Sequence, residues 1–510
     1  MPPLASSAAD SYRSALALDD APALRDELAQ YLVETGDTAD AYDEYKKLLK
    51  DQPDAFVQMR RYGPDPITIA TDLVAATYYS DALETLGNLD TGKAILLRAQ
   101  ANDGLGHYKD AASQYRLWLQ QHPGDVDASL ALGGDYESLG QTEDALTIYK
   151  VLDDDRARVA EADLIVGTDP QTALGLYEAT QDPIAWWKAA GILEGQSQFA
   201  DAISMYLRVA NAGIYLSDDA AYRILVLARE NQLPANAYAE TQARDLLSAQ
   251  GQTYLGLKAG VVTLQLNVAP PYNSSLPDLL QQKVSALEQI GLKDQARLEL
   301  TMAARFNTSD EVVAAAAQGL ADRGYFADAY KIATALLSAN PNRPLAVWQL
   351  AYPKPYSDTV MAVAKQSKVD PLLVWAIMRQ ESGYDPEALS AADAQGLMQI
   401  TPTTRDAIAG QLGEQVSPDA MFTPEINIRF GVTYLGSLFP IFSGDQEQVI
   451  MAYNAGPGNV QSWLQDPRVQ NNDDLYRWVG IGATREYLMR VMLDYRRYQA
   501  LDQLGTRASH

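Results

Sequence analysis

The residue with the clearest chemical setting is Glu381. It stands near the end of the run Val369-Asp370-Pro371-Leu372-Leu373-Val374-Trp375-Ala376-Ile377-Met378-Arg379-Gln380-Glu381-Ser382-Gly383. Asp is a good helix N-cap and Pro fits a first helical turn, so Asp370-Pro371 predicts a helix start. The residues up to Arg379 are apolar nearly all round, which predicts burial, and Gly383 predicts the helix end. Glu381 then lies in the last turn of a buried helix. The partial negative charge at a helix C-terminus and partial desolvation both disfavour the carboxylate, so its pKa should rise. A carboxylic acid kept protonated near neutral pH is what acid-catalysed cleavage of a glycosidic bond requires. Taken alone, the same pattern also fits a Glu at a frayed helix end facing water.

The composition limits the other chemistry. The 510 residues contain no cysteine and three histidines, His107, His122 and His510. Disulfides, thiolate metal sites and cysteine nucleophiles are excluded, and no Ser-His-Asp triad or His-based metal site is expected. Glycosidases normally use two carboxyl groups. The neighbours that could supply a second are Asp385, Glu387 and Asp393. Asp385-Pro386 reads as a turn, and Glu387 and Asp393 read as solvent-facing. No second acid is marked. One Glu accompanied by Ser390, Gln399 and Tyr453 suits single-carboxyl chemistry, with no cofactor and no metal.

Further motifs follow in order: Gly396-Leu397-Met398-Gln399-Ile400-Thr401-Pro402, Ala452-Tyr453-Asn454-Ala455-Gly456 and Thr484-Arg485-Glu486-Tyr487. With Glu381-Ser382 ahead of them, they resemble the lysozyme-like catalytic domain of the soluble lytic transglycosylase family, over about residues 350–500. The resemblance implies non-hydrolytic cleavage of the MurNAc-β-1,4-GlcNAc bond of peptidoglycan, leaving 1,6-anhydroMurNAc ends. It implies Glu381 as the single catalytic acid/base, with Ser390 close to it. Gly396, Met398 and Gln399 belong to the motif that lines the sugar cleft. The Tyr453 hydroxyl is implied to help position Glu381, with Asn454 and Gly456 shaping the same loop. Arg485 and Tyr487 fall in the last motif and are carried over as substrate-binding. Two departures stand out: Ala483 where many members have Glu, and Asp393-Ala394-Gln395 where Gly-Ala-Ser is common. A lysozyme-type hydrolase, with water as nucleophile, and a non-catalytic peptidoglycan- or protein-binding scaffold are the alternatives.

These residues need elements to hold them, and the expected fold class is all-α. Upstream, a short pattern recurs: Gly, five residues later Ala, four residues later an aromatic or apolar residue. It appears as Gly36-Ala41-Tyr45, Gly106-Ala111-Tyr115, Gly140-Ala145-Tyr149, Gly291-Ala296-Leu300 and Gly324-Ala329-Ala333, and without the glycine as Ala173-Tyr177 and Ala202-Tyr206. Gly serves a turn that needs positive φ, and the small Ala lets helices approach. A period near 34 residues resembles tetratricopeptide repeats. The tyrosines, at helical spacing, are expected in the core rather than on sugar. The prolines Pro341, Pro344, Pro353 and Pro355 mark a connector. The expected domains are therefore 1–345, a TPR-like helical superhelix, and 346–510, a lysozyme-like catalytic domain.

The net charge is −26, with −21 in the first 350 residues and −5 in the rest. That balance argues against nucleic acid and anionic lipid as partners. Peptidoglycan glycan strands are the expected partner, with protein partners possible through the repeats. No apolar run is long enough to span a membrane. The start Met1-Pro2-Pro3-Leu4-Ala5-Ser6 is not a signal peptide. Because the implied substrate lies outside the cytoplasm, the expected location is the periplasm or cell envelope, with an export signal encoded beyond this chain.

Overall fold

The computed structural model describes residues 3–18, 20–230, 237–249, 251–266, 268–272, 275–466, 469, 472–478 and 482–507. Met1, Pro2 and His510 lie outside them. Among the described residues the chain is all-α, as expected, with two short strands, Val268–Ala269 and Arg343–Pro344, paired in parallel. No described helix is long and apolar enough to cross a membrane. The chain divides into two compact units, residues 1–212 and 213–510. The expected boundary at 345/346 falls inside the second unit.

The first unit is a succession of helical hairpins, and the recurrent pattern explains them. Gly36, Gly106 and Gly140 have φ of 87°, 74° and 71°, and in the second unit Gly291 and Gly324 have φ of 82° and 83°. A β-carbon is strained there, so Gly is the natural choice at each turn. The alanines five residues on, Ala41, Ala111, Ala145, Ala173, Ala202, Ala296 and Ala329, are all buried, and so are the residues four beyond them. The tyrosines at that last position are core residues with a polar tip. Tyr149 donates its hydroxyl to Glu137 (2.5 Å), Tyr177 to Asp163 (2.5 Å) and Tyr206 to Glu194 (2.7 Å), each carboxylate lying 12 to 14 residues upstream. Each ring thus fills the hairpin interior while its hydroxyl is satisfied.

Two hairpin turns keep this geometry without glycine. Ser197 (φ 60°) precedes Ala202-Tyr206, and Thr77 (φ 67°) precedes Ala82-Leu86, both of which are buried. The second copy escapes the sequence pattern because Thr stands where Gly is expected.

The second unit begins with the helix Ser217–Arg229 and includes the hairpin helices Lys293–Phe306, Asp310–Ala321 and Phe326–Ala339. The proline connector contributes the strand Arg343–Pro344 and the short helix Leu345–Ala351. Beyond it, Pro371–Glu381 packs on Gly482–Arg507, and Ser357–Ser367 packs on Pro424–Ile441. The Phe326–Ala339 helix also reaches the end of the Glu381 helix. The Tyr330 ring meets Tyr384 edge-on at 5.2 Å, and the Arg379 guanidinium lies 4.8 Å from its centroid.

Thr77 is exposed and β-branched in the left-handed region. Thr77→Gly should therefore stabilise the protein by about 0.5–1 kcal/mol, the relief of left-handed strain exceeding the entropy glycine adds to the unfolded chain. Thermal or urea unfolding of the variant checks this; a lowered melting temperature would contradict the strain.

Candidate active site

The Glu381 helix forms as its sequence predicts. It spans Pro371–Glu381, with Asp370 Oδ1 accepting from the Leu372 amide at 2.8 Å and proline in the first turn. Leu373 through Met378 are all buried. Its last turn is held from outside. Arg379 pairs with Asp494 at 2.8 Å, and Gln380 donates to the same carboxylate. The other Asp494 oxygen accepts from the Tyr352 hydroxyl at 3.1 Å. Asp494 is 2% exposed, so a buried charge is met by Arg379, by neutral donors and, at 3.7 Å, by Arg497.

Glu381 itself is partly buried. Tyr487, on the Gly482–Arg507 helix, donates its hydroxyl to Glu381 Oε1 at 2.6 Å. No described residue bonds the other oxygen, Oε2, and no described cation pairs with the carboxylate. Burial pushes the Glu381 pKa up from 4.5 to about 7, against a smaller downward pull from the Tyr487 bond. Desolvation is thus the cause of the shift. Burial and the adjacent Glu381 charge also push both Tyr487 and Tyr453 well above the usual tyrosine value. The hydroxyl of Tyr487 therefore serves as a neutral donor.

The segment after the helix is held in an unusual backbone path. Gly383, Tyr384, Asp393, Gly396 and Gln399 all have positive φ, between 49° and 69°. Such concentrations of left-handed residues occur where the surroundings over-determine the chain. Ser382 Oγ donates to the Leu397 carbonyl at 2.8 Å, tying the helix end to the Gly-Leu-Met-Gln turn. Ser390 Oγ accepts from the Ala394 amide at 3.0 Å and the Ala392 amide at 3.2 Å, so Ser390 caps the turn that follows it. Gln399 Nε2 donates to the Ala388 and Gly396 carbonyls at 3.1 and 2.9 Å. Tyr453 donates to the Met398 carbonyl at 2.9 Å and not to Glu381. The bond to the acid comes from Tyr487.

Other expected site residues make their contacts elsewhere than with the acid. Met398 is buried against Gly431, where a β-carbon would come within 2.5 Å of its sulfur. Asn454 is exposed and accepts from Thr484 Oγ1 at 2.9 Å. Arg485, expected at substrate, is 4% exposed and pairs with Asp219 at 2.5 Å. Of the three possible second acids, Glu387 and Asp393 are exposed and Asp385 is partly buried, and Asp385 accepts from the Glu387 amide at 3.0 Å.

The residue that sequence reasoning missed is Asn427. It is buried in the helix Pro424–Ile441. Its Oδ1 accepts from the Met398 amide, and its Nδ2 donates to the Gln395 and Met421 carbonyls, all at 2.8 Å. Gly396 is required beside it, since a β-carbon there would lie 2.5 Å from Asn427 Nδ2 and 2.2 Å from the Met421 carbonyl. An interior Asn followed by Ile428, Phe430 and Val432 is the one available signal, because a polar side chain on an otherwise apolar helix needs internal partners.

Fold and site together define a lysozyme-like helical domain with one partly buried, uncompensated acid, Glu381. Residues 358–475 match the transglycosylase SLT domain family, and the chain carries that domain. The family resemblance read from the motifs therefore holds. Over 115 residues, 22% of this chain, the sequence is 33% identical to the soluble lytic murein transglycosylase of Salmonella typhimurium and 34% identical to that of Escherichia coli K12. Each alignment spans 18% of the relative. The fold matches the crystal structure of the 70 kDa soluble lytic transglycosylase from Escherichia coli with a TM-score of 0.69 and 18% identity, covering 96% of this chain and 83% of that one. Tyr487 lies beyond the residues matched to the family.

Two outcomes follow from this geometry. With a folded pKa near 7 against 4.5 unfolded, the native state holds more protons between those values. Stability contributed by Glu381 is thus lost as pH rises from about 4.5 through 7. Glu381→Gln should be nearly neutral below pH 4 and progressively stabilising above it, by up to about 3 kcal/mol at pH 8. Urea unfolding at several pH values measures this; a pH-independent difference would contradict the burial. Asn427→Ala should cost about 2–4 kcal/mol, because it strands one amide and two carbonyls in the interior. A loss below 1 kcal/mol would show that the loop does not depend on it.

Proposed function

We propose that the protein is a lytic transglycosylase that cleaves the MurNAc-β-1,4-GlcNAc bond of peptidoglycan. The observation that carries this reading is Glu381: a single partly buried carboxyl, pKa near 7, with one oxygen fixed by Tyr487 and the other open. The relatives named as soluble lytic murein transglycosylases and the SLT domain support it.

In the proposed mechanism the protonated Glu381 donates its Oε2 proton to the bridging oxygen, and the glycosidic bond breaks. The oxocarbenium-like centre is shielded by the substrate's N-acetyl group. Glu381, now a carboxylate, accepts the proton of the MurNAc 6-hydroxyl as that oxygen attacks C1. The product is a 1,6-anhydroMurNAc end, and no water is consumed. A pKa near the working pH suits a group that must be acid and then base in one cycle. Tyr487 keeps Oε1 in place through both halves, since its hydroxyl donates to the neutral acid and to the carboxylate alike. Gln399 and Tyr453 set the cleft wall beside the acid, buried Met398 supports it through its carbonyl bond to Tyr453, Gly396 and Ser390 keep the loop folded, and Asn454 offers an exposed amide to glycan. No cofactor or metal enters these steps.

We further propose that residues 346–510 are the catalytic domain and 1–345 the helical repeat region, which is available to protein partners. Peptidoglycan as substrate places the working site outside the cytoplasm, in the periplasm or cell envelope.

Digestion of purified peptidoglycan followed by mass spectrometry tests the reading. The wild type should release muropeptides one water lighter than lysozyme products and without a reducing end. Products that carry reducing ends would establish hydrolysis instead. Glu381→Gln should lower turnover by about 10⁴-fold or more while leaving the fold intact, since one residue serves both half-reactions. Full activity in that variant would remove Glu381 from the mechanism.

A further inference from the structure

The start of the Gly482–Arg507 helix is clamped on two faces. Arg485 and Tyr487 are two residues apart, and residues at that spacing point to different sides of a helix. Tyr487 reaches Glu381. Arg485 reaches Asp219, at 2.5 Å, on the helix Ser217–Arg229. Both members of this ion pair are buried, at 4% and 6% exposure. Arg485 also donates to the Tyr215 carbonyl at 3.4 Å, and its guanidinium stands 5.6 Å from the Tyr215 ring centroid.

The Ser217–Arg229 helix holds the preceding segment as well. Tyr222 donates to Asp473 at 3.0 Å, Arg229 approaches the same carboxylate at 3.4 Å, and Arg223 faces Asp474 at 3.9 Å. Lys258 bridges Asp473 and Glu447, both at 3.1 Å, and Glu447 lies in the helix that carries Tyr453. Ten of the thirteen residues of Ser217–Arg229 are buried. A helix more than 100 residues upstream of the family-matched segment is thus tied by its side chains to elements that flank the acid.

We propose that Asp219 is a positioning residue for the acid: its ion pair with Arg485 fixes the first turns of the Gly482–Arg507 helix and so holds the Tyr487 hydroxyl on Glu381. The inference rests on the reading of Glu381 given above. Arg485 then acts through helix placement and not through contact with glycan. Two features favour a specific role for Asp219. A buried guanidinium whose partner is removed is strongly disfavoured, so loss of the carboxylate should displace the helix start. Thr484 and Asn454 add one neutral bond at the same turn, at 2.9 Å, which cannot offset that charge. The charged and titratable groups around the pair are Asp218 and Asp219 on one side of Arg485, and Tyr487, Tyr453, Glu381 and Arg490 around the acid.

The test is the pH dependence of glycan cleavage by the full chain. Tyr487 lowers the Glu381 pKa, so loss of its bond lets the acid stay protonated to higher pH. Asp219→Asn should lower kcat about tenfold, as a small misplacement of a catalytic group does, and move the alkaline limb of the profile above its wild-type position near pH 7. Tyr487→Phe should move the limb in the same direction. The double variant Asp219→Asn with Tyr487→Phe should be no worse than Tyr487→Phe alone, since both act on one bond. A lowered kcat with an unmoved limb, or additive losses in the double variant, would overturn the proposal and leave Asp219 a structural residue. If Asp219→Asn does not fold, Arg485→Lys keeps the charge but cannot reach both Asp219 and the Tyr215 carbonyl as the guanidinium does. It should displace the limb likewise, and an unmoved limb there overturns the proposal equally. Glu381→Gln in the same assay separates the two readings. If it cleaves, the assignment of the acid fails; if it is dead while the Asp219 limb stays fixed, only the present inference fails.

Discussion

The structure turns on the desolvation of one carboxyl group. Glu381 carries its proton to near-neutral pH because water is largely removed from it and no cation compensates. That state is costly, so the surroundings have to enforce it. The Arg379–Asp494 pair is central to this enforcement. It takes the cation two residues from Glu381 and commits it to another carboxylate, within 2.8 Å. Had Arg379 turned toward Glu381, the acid would be held ionised and the proton lost. The buried pair therefore fixes the helix end and also withholds a charge from it, although its own net contribution to stability is small.

The same hydrogen bond, tyrosine hydroxyl to carboxylate, occurs in the repeats and at the acid, with different consequences. In the hairpins, Tyr177 donates to Asp163, whose two oxygens also meet Lys188 at 2.6 and 2.7 Å. There the carboxylate serves the tyrosine, whose ring is the packed element and whose hydroxyl needs an acceptor. At the site the relation is reversed. Tyr487 serves Glu381 by fixing one oxygen and leaving the other open. The chemistry of a residue pair is thus set by what else reaches the carboxylate.

Much of the repeat architecture was legible because its constraints act on single residues. A left-handed turn selects Gly, and close helix approach selects Ala, so the spacing survives at Gly36, Gly106 and Gly140 even where other positions drift. Where strain is tolerated, as at Thr77, the copy disappears from the sequence although the hairpin remains. The Glu381 helix was legible for a similar reason: cap, proline and apolar run all act locally. The partners of the acid were not. Tyr453 is partly buried and Tyr487 buried, and nothing in their local sequence says which hydroxyl reaches Glu381. The family resemblance carries Arg485 over as a substrate-binding residue. Its partner, Asp219, lies 266 residues upstream, and no local pattern records that pairing.

The position of Asn427 shows why such non-local constraints concentrate around the site. A loop with several left-handed residues gives up regular hydrogen bonding, so its amides and carbonyls need acceptors and donors from elsewhere. One amide side chain on a neighbouring helix supplies three of them, and this is possible only because Gly396 lacks a β-carbon. Helix-borne Asn427 and loop-borne Gly396 therefore form one device split between two segments. The same loop presents the Met398 carbonyl to Tyr453. The acid depends in turn on Ser382, which ties its helix end to the same loop through the Leu397 carbonyl. Rigidity at Glu381 is thus assembled from side chains on the Pro424–Ile441 helix, the Gln446–Ala455 helix and the Gly482–Arg507 helix. A regular element alone could not provide it, because the acid stands at the last residue of its helix and its outer oxygen has to remain free.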